Sequence, residues 1–202
     1  MPEFAVLRAV LPEGVALGLP DAKPALMPAE VPGAMVPARL AEFTAGRSAA
    51  RAAMAALGLP PAAIPMGPDR APQWPAGLTG SITHCAGLCL AVMAPATRWA
   101  GLGLDAEPLA PLAPDLAPTI LAPGEQAPGL LEAFVAKEAA YKAQYALTRR
   151  LFDFHTLRLD WQGTAFQARF TRPVPPFASG DALSGQLLRT GGHLMALVAI
   201  AA

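Results

Sequence analysis

The chain has 202 residues, 53% hydrophobic and 15% charged, enough apolar material for a packed core in one domain or two small ones, which excludes a disordered chain. Its formal net charge is zero, which gives no basis for nucleic acid as the main partner. The N-terminal MPEFAVLRAV has no basic stretch followed by a long apolar one, so it does not read as a signal peptide. The uncharged run Cys85–Thr97 has 13 residues, too few to span a bilayer.

The 23 prolines and 18 glycines punctuate the chain. Phe4–Leu11 alternates weakly and reads as a strand, and residues 12–37 are proline-rich and read as mostly irregular. Pro37 opens a predicted helix to about Leu57, with Gly58 as its stop and Pro60–Pro61 beyond. Residues 58–79 form a long loop carrying Arg70 and Trp74. SITH, CAG and LCLAVM read as two strands joined by a short turn, and Trp99–Ala106 as another strand. PLAPLAPDLAP reads as an extended loop. Leu130–Leu147 is the second predicted helix, and strands follow near Thr156–Trp161, Ala165–Thr171 and His193–Ala201. The expected class is α+β, in two halves of similar element order, 1–99 and 100–202, with a cleft between them. Cys85 and Cys89, set roughly 13 Å apart along one extended stretch, form no disulfide framework and point to a reducing compartment. We therefore expect a cytoplasmic protein.

Charge is unevenly placed. Residues 39–98 hold Arg39, Arg47, Arg51, Arg70 and Arg98 against Glu42 and Asp69. Residues 99–135 hold Asp105, Glu107, Asp115, Glu125 and Glu132 with no Lys or Arg, and residues 136–150 hold Lys137, Lys142, Arg149 and Arg150 against Glu138. Basic, acidic, basic is the order that a metal with a polyphosphate would need, and solvated surface charge is the alternative.

Four segments carry chemistry. In GLDAE, residues 103–107, Asp105 and Glu107 share one side of a strand. Two such carboxylates either hold a hard cation such as Mg²⁺ or are exposed acids at a strand end. In FVAKEAAYKA, residues 134–143, Glu138 falls inside a stripe of Leu131, Phe134, Tyr141 and Tyr145, with Lys137 and Lys142 at its margins. An inward carboxylate must be paired, protonated or metal-bound, and a Glu138–Lys142 pair at i,i+4 is the simple option. In the helix at 39–54, Arg47 and Arg51 face inward as if around an anion, or snorkel to water. His84, closing GSITH at residues 80–84, is placed for a phosphate contact or a structural role. No Ser/His/Asp arrangement, Walker loop or dinucleotide fingerprint is present.

The motifs Phe43–Arg51, Arg70–Gly77, Gly80–Cys85, Gly103–Glu107 and Phe134–Ala143, in this order, resemble the phosphopantetheinyl transferases of the surfactin-type class, in the branch of enterobactin synthetase component D. The resemblance covers about residues 39–145. It implies two similar α+β halves packed as a pseudo-dimer, a monomer, with coenzyme A in the cleft and an acyl or peptidyl carrier protein as acceptor. It implies Mg²⁺ as cofactor on Asp105, Glu107 and Glu138, with Lys142 on the reacting phosphate. Arg47, Arg51, Arg70, Thr83 and His84 would contact the nucleotide phosphates. The implied reaction moves 4′-phosphopantetheine to a carrier serine in siderophore or other secondary metabolism, with Glu138 or a metal-borne hydroxide taking the serine proton. An inactive coenzyme A- or carrier-binding module and a metal-dependent coenzyme A hydrolase are the alternatives. Ala106 and Phe134 depart from the larger aliphatic and the Trp common at these places, and the connection from Glu125 to Phe134 is short.

Overall fold

Small residues at the helix–sheet contacts decide how closely the layers of this chain stack. The computed structural model describes residues 4–202. Its elements are α1 (Ala5–Val10), β1 (Ala16–Gly18), α2 (Pro37–Ala56), β2 (Leu78–Cys85), β3 (Leu88–Pro95), β4 (Trp99–Pro108), α3 (Ala117–Ile120), α4 (Leu130–Thr148), β5 (Leu157–Gln162), β6 (Ala165–Phe170), β7 (Ala182–Thr190) and β8 (His193–Ala201). The strands form two antiparallel sheets, β1-β3-β2 and β4-β8-β7-β6-β5, so the chain is α+β.

Three apolar clusters cement the layers. Ala49, Ala53 and Met54 of α2 pack with Ile64, Ala91 and Met93 on one face of the smaller sheet. Its other face, with Leu90 and Val92, meets Leu102, Leu104, Met195 and Leu197 of the larger sheet. The far face of the larger sheet, with Ala196, Val198, Phe166 and Phe170, receives Ala136, Ala140 and Ala143 of α4. Each fully buried Leu, Val or Met contributes about 1.5–3 kcal/mol over its exposed state.

Glycine sets the closest approach. A Cβ on Gly101 would lie 2.3 Å from the carbonyl oxygen of Ala143, and one on Gly103 would lie 1.8 Å from that of Ala139. Only glycine lets the α4 backbone settle onto β4 at this depth. Period-two alternation then puts Asp105 and Glu107 on the same face as the two glycines, directly along α4.

The two sheets also meet at an edge. β4 is a terminal strand whose outward N–H groups need partners. Leu104 N donates to Ser81 Oγ at 3.0 Å and Ala106 N donates to Thr83 Oγ1 at 3.1 Å. Alternate hydroxyls of β2 thus stand in for a neighbouring strand and fix β2 beside β4.

Several expectations change. Phe4–Leu11 is not a strand: Phe4, Leu7 and Leu11 recur at helical spacing, and α1 presents them to the core between the sheets. The stretch 12–37 contains β1, which pairs with β3. The extended proline loop ends in helical turns at Pro114–Leu116 and Ala117–Ile120. β7 gave no clear alternation because Gly185 interrupts it, and that glycine makes room for the Phe166 ring. The cysteines do not lie along one strand. They flank the β2–β3 hairpin, Cys85 opposite Leu88 and Cys89 opposite His84. Both are free because neighbouring register positions point to opposite faces of the sheet. Among the described residues, no helix is long and apolar enough to cross a membrane.

Candidate active site

Asp105 is 5% exposed. Its Oδ1 accepts from Lys142 Nζ at 2.6 Å and, at 3.4 Å, from the Thr83 hydroxyl, while its Oδ2 is buried with no hydrogen-bond partner. An orphaned carboxylate oxygen at such depth is costly in a finished structure. Burial pushes the Asp105 carboxyl above its usual range, against the pull of Lys142 and Thr83. Glu107, two residues on, is also pushed up, first by burial and then by the Asp105 charge.

α4 supplies the facing groups. Its buried face is alanine-rich, and the stripe of Leu131, Phe134, Tyr141 and Tyr145 is its half-buried flank. Glu138 lies in that flank, and burial raises its pKa, with Asp105 and Glu107 adding to the rise and Lys142 opposing it. The simple Glu138–Lys142 pair is not formed: Lys142 reaches across to Asp105 and to the Leu104 carbonyl, 3.3 Å away. Glu138 is left as a carboxylate in the mutual field of two others. Among the described residues, no three His, Cys, Asp or Glu side chains are gathered as a ready-made metal site. The donors still suit a divalent cation. All are hard oxygens, three like charges oppose one another, and one buried oxygen lacks a partner.

The expected phosphate contacts divide. The anion between Arg47 and Arg51 is a protein carboxylate, Glu30. Arg51 Nη1 lies 2.5 Å from Glu30 Oε2, and Arg51 also donates to the Ala25 carbonyl. Ile64 N donates to Glu30 Oε1 at 2.9 Å, and Arg47 Nε donates to the Ile64 carbonyl at 2.9 Å. Arg47 is buried over the Phe43 ring, with Nη2 unpartnered and its pKa lowered by burial to about 10. This cluster ties residues 25–30 and 64 to α2. Thr83 is likewise committed to β4 and 2% exposed.

His84 and Arg70 remain available. Arg39 lies 2.7 Å from His84 Nε2. An arginine only donates, so Nε2 is the bare nitrogen, and Nδ1 faces Glu42 at 3.8 Å. Burial lowers the His84 pKa, with Glu42 opposing and Arg39 reinforcing the shift. Arg70 lines a cavity of about 300 Å³ with Trp74, Gly80, Lys142, Tyr145 and Arg149.

Sequence reasoning missed Arg39, which spacing alone did not single out, and Glu125. Lys137, expected at a helix margin, is wholly buried in a pair with Glu125 at 2.7 Å. Lys137 also donates to the carbonyls of Ile120 and Phe154, and Glu125 accepts from Ala122 N and Leu159 N. Beside it, Glu138, Tyr141, Phe152 and Phe154 line a second cavity, about 440 Å³, of apolar character.

Two family models match the chain: the 4′-phosphopantetheinyl transferase N-terminal domain over residues 28–94 and the 4′-phosphopantetheinyl transferase superfamily over residues 101–197. The chain is 37% identical over 183 residues to 4′-phosphopantetheinyl transferase Svp of Streptomyces mobaraensis, covering 83% of this chain and 74% of that protein. It is 36% identical over 178 residues to 4′-phosphopantetheinyl transferase PptT of Mycobacterium tuberculosis, covering 81% and 78%. Against enterobactin synthase component D of Salmonella typhimurium it is 41% identical over 118 residues, covering 52% and 48%. With the carboxylates of β4 and α4 brought onto one face by Gly101 and Gly103, these matches show that the chain belongs to the 4′-phosphopantetheinyl transferase superfamily.

Proposed function

We propose that this protein transfers 4′-phosphopantetheine from coenzyme A to a serine of an acyl or peptidyl carrier protein, releasing 3′,5′-ADP. The observation that carries the reading is the meeting of Asp105, Glu107, Glu138 and Lys142 where α4 sinks onto Gly101 and Gly103. A divalent ion, Mg²⁺ in this reading, would be held by Asp105, Glu107 and Glu138. When bound, it supplies charge neutralisation on the pyrophosphate and the departing nucleotide.

The chain's own groups do the rest. The serine oxygen bonds to the phosphorus bearing pantetheine, and the bond from that phosphorus to the 3′,5′-ADP oxygen breaks. Glu138, facing Asp105, Glu107 and Lys142 from α4, takes the serine proton. Lys142 is within reach of the phosphate and of Asp105. Arg70 and His84 meet the other phosphates, with Arg39 holding the His84 ring. The apolar cavity beside Glu138 has room for the pantetheine arm. In this reading the direct contacts fall to Arg70 and His84, because Arg51 is engaged with Glu30, the Thr83 hydroxyl donates to Asp105, and Arg47 is buried against Phe43 and Ile64. α2 on the smaller sheet and α4 on the larger one support the division into halves at 99–100, packed as a pseudo-dimer. We take the protein to act in the cytoplasm as a monomer, in siderophore or related secondary metabolism.

The test is intact-mass measurement of apo-carriers incubated with the protein, coenzyme A and Mg²⁺. The expected result is one added phosphopantetheine, absent from a carrier with its acceptor serine changed to alanine, halted by EDTA and restored by Mg²⁺. A full rate in EDTA would refute the metal assignment.

A further inference from the structure

The loop at residues 65–73 and the C-terminal turn of α4 are far apart in the chain and meet at one carboxylate. Tyr145 donates its phenol hydrogen to Asp69 Oδ2 at 2.9 Å. Arg149 Nη1 stands 3.5 Å from the same oxygen, and its guanidinium lies 5.6 Å from the Tyr145 ring centroid. The other oxygen, Asp69 Oδ1, accepts from Ala71 N at 3.1 Å within its own loop. Gly67 N to Ala71 O at 2.8 Å, Arg70 N to Gly67 O at 2.9 Å and a bridge between Met66 and Pro72 complete a closed turn. The contacts of this turn converge on the residue beside Arg70.

Among the described residues, the non-glycine residues with positive φ are Arg70, at 65°, and Arg149, at 52°. Both sit at this meeting point. Strained backbone persists only where its surroundings over-determine it, and it gathers at ligand-holding sites. The Arg70 side chain is exposed and lines the 300 Å³ cavity with Lys142, so its charge is free to face a ligand. The hydrogen bond from Tyr145 also holds the Asp69 carboxyl below its usual range.

We propose that Asp69, Tyr145 and Arg149 are positioning residues: together they clasp the loop to α4 and hold Arg70 at the cavity mouth, so that it meets a phosphate of coenzyme A without first being ordered. The proposal rests on the transferase reading, in which this cavity takes part of the donor. A preorganised cation lowers the ordering cost of binding, so loss of the clasp falls on donor affinity rather than on the chemical step.

The test compares wild type, Tyr145→Phe, Arg70→Ala and the double variant. It measures KM for coenzyme A, kcat with an apo-carrier, and calorimetric Kd for adenosine 3′,5′-bisphosphate. Tyr145→Phe is expected to raise KM and Kd roughly tenfold with kcat within about twofold. In the Arg70→Ala background the same change should add nothing, because there is no longer a side chain to position. Asp69→Asn, which keeps an acceptor for Tyr145 but loses the ion pair, should fall between wild type and Tyr145→Phe. Unchanged KM and Kd in Tyr145→Phe, or losses that multiply in the double variant, would overturn the clasp. If Arg70→Ala itself leaves both constants unchanged, the clasp fails while the transferase reading stands. A wild type that neither binds the bisphosphate nor modifies a carrier overturns both.

Discussion

Replacing Lys137 by methionine removes the cation from a pair that has no water to fall back on. Both side chains are 0% exposed. The substitution leaves Glu125 charged and without a counterion, and deprives the carbonyls of Ile120 and Phe154 of a donor. Breaking a buried pair in this way costs about 3–5 kcal/mol. In a chain of this length each kcal/mol lowers Tm by about 2–4 °C, so thermal unfolding should drop by about 6–20 °C. Adding Glu125→Leu should not restore the wild-type Tm, as it would for an isolated ion pair. The N–H groups of Ala122 and Leu159 then also lose their acceptor, at about 1–3 kcal/mol for each unsatisfied group. Calorimetric or fluorescence melts of the three proteins decide the matter. A Lys137→Met protein melting within about 2 °C of wild type would refute the reasoning, as would full rescue by the double substitution.

Glu138→Gln should slow single-turnover transfer ~10²–10⁴-fold at every Mg²⁺ concentration; near wild-type rates throughout a Mg²⁺ titration would reduce Glu138 to a structural role. Arg51→Ala strips the counterion from buried Glu30, so it should cost about 3–5 kcal/mol of stability in denaturant titrations. It should leave the preference for coenzyme A over dephospho-coenzyme A intact, and a lost preference would return Arg51 to the nucleotide. Burial pushes both thiols up to about 11. At pH 8 their thiolate fraction, and hence alkylation by iodoacetamide, should be about 100-fold below that of the unfolded chain. The sign also makes the fold lose stability as pH rises from the ordinary thiol value through about 11; rapid native-state labelling at pH 8 would contradict both statements.

The long helices and the β2–β3 hairpin were legible because Pro37, Gly58 and the CAG turn mark their ends with chemistry local to the chain. The shared side of Asp105 and Glu107 was legible for a similar reason, from strand alternation alone, whereas the close approach of α4 over Gly101 and Gly103 emerged only in the structure. What stayed hidden depends on partners distant in sequence. The inward face of Arg51 was legible, but the partner it meets in the structure, Glu30, lies 21 residues away. Lys137 looked marginal because helical spacing registers the charge and not Glu125, which the 117–129 connection folds over it. Thr83 belonged to a recognisable motif, yet its hydroxyl serves an edge strand that no local pattern reveals. Phe4–Leu11 was too short for its helical spacing to outweigh a weak alternation.

The most direct measurement of the central claim is the ratio of 3′,5′-ADP released to carrier modified, taken by chromatography and intact mass in the same reaction. Transfer to serine, with Glu138 proposed as the proton acceptor, predicts equal amounts, and no nucleotide release when the carrier's acceptor serine is replaced by alanine. Nucleotide released in excess of carrier modified, or released without any carrier, would identify water as the acceptor and contradict transfer as the function.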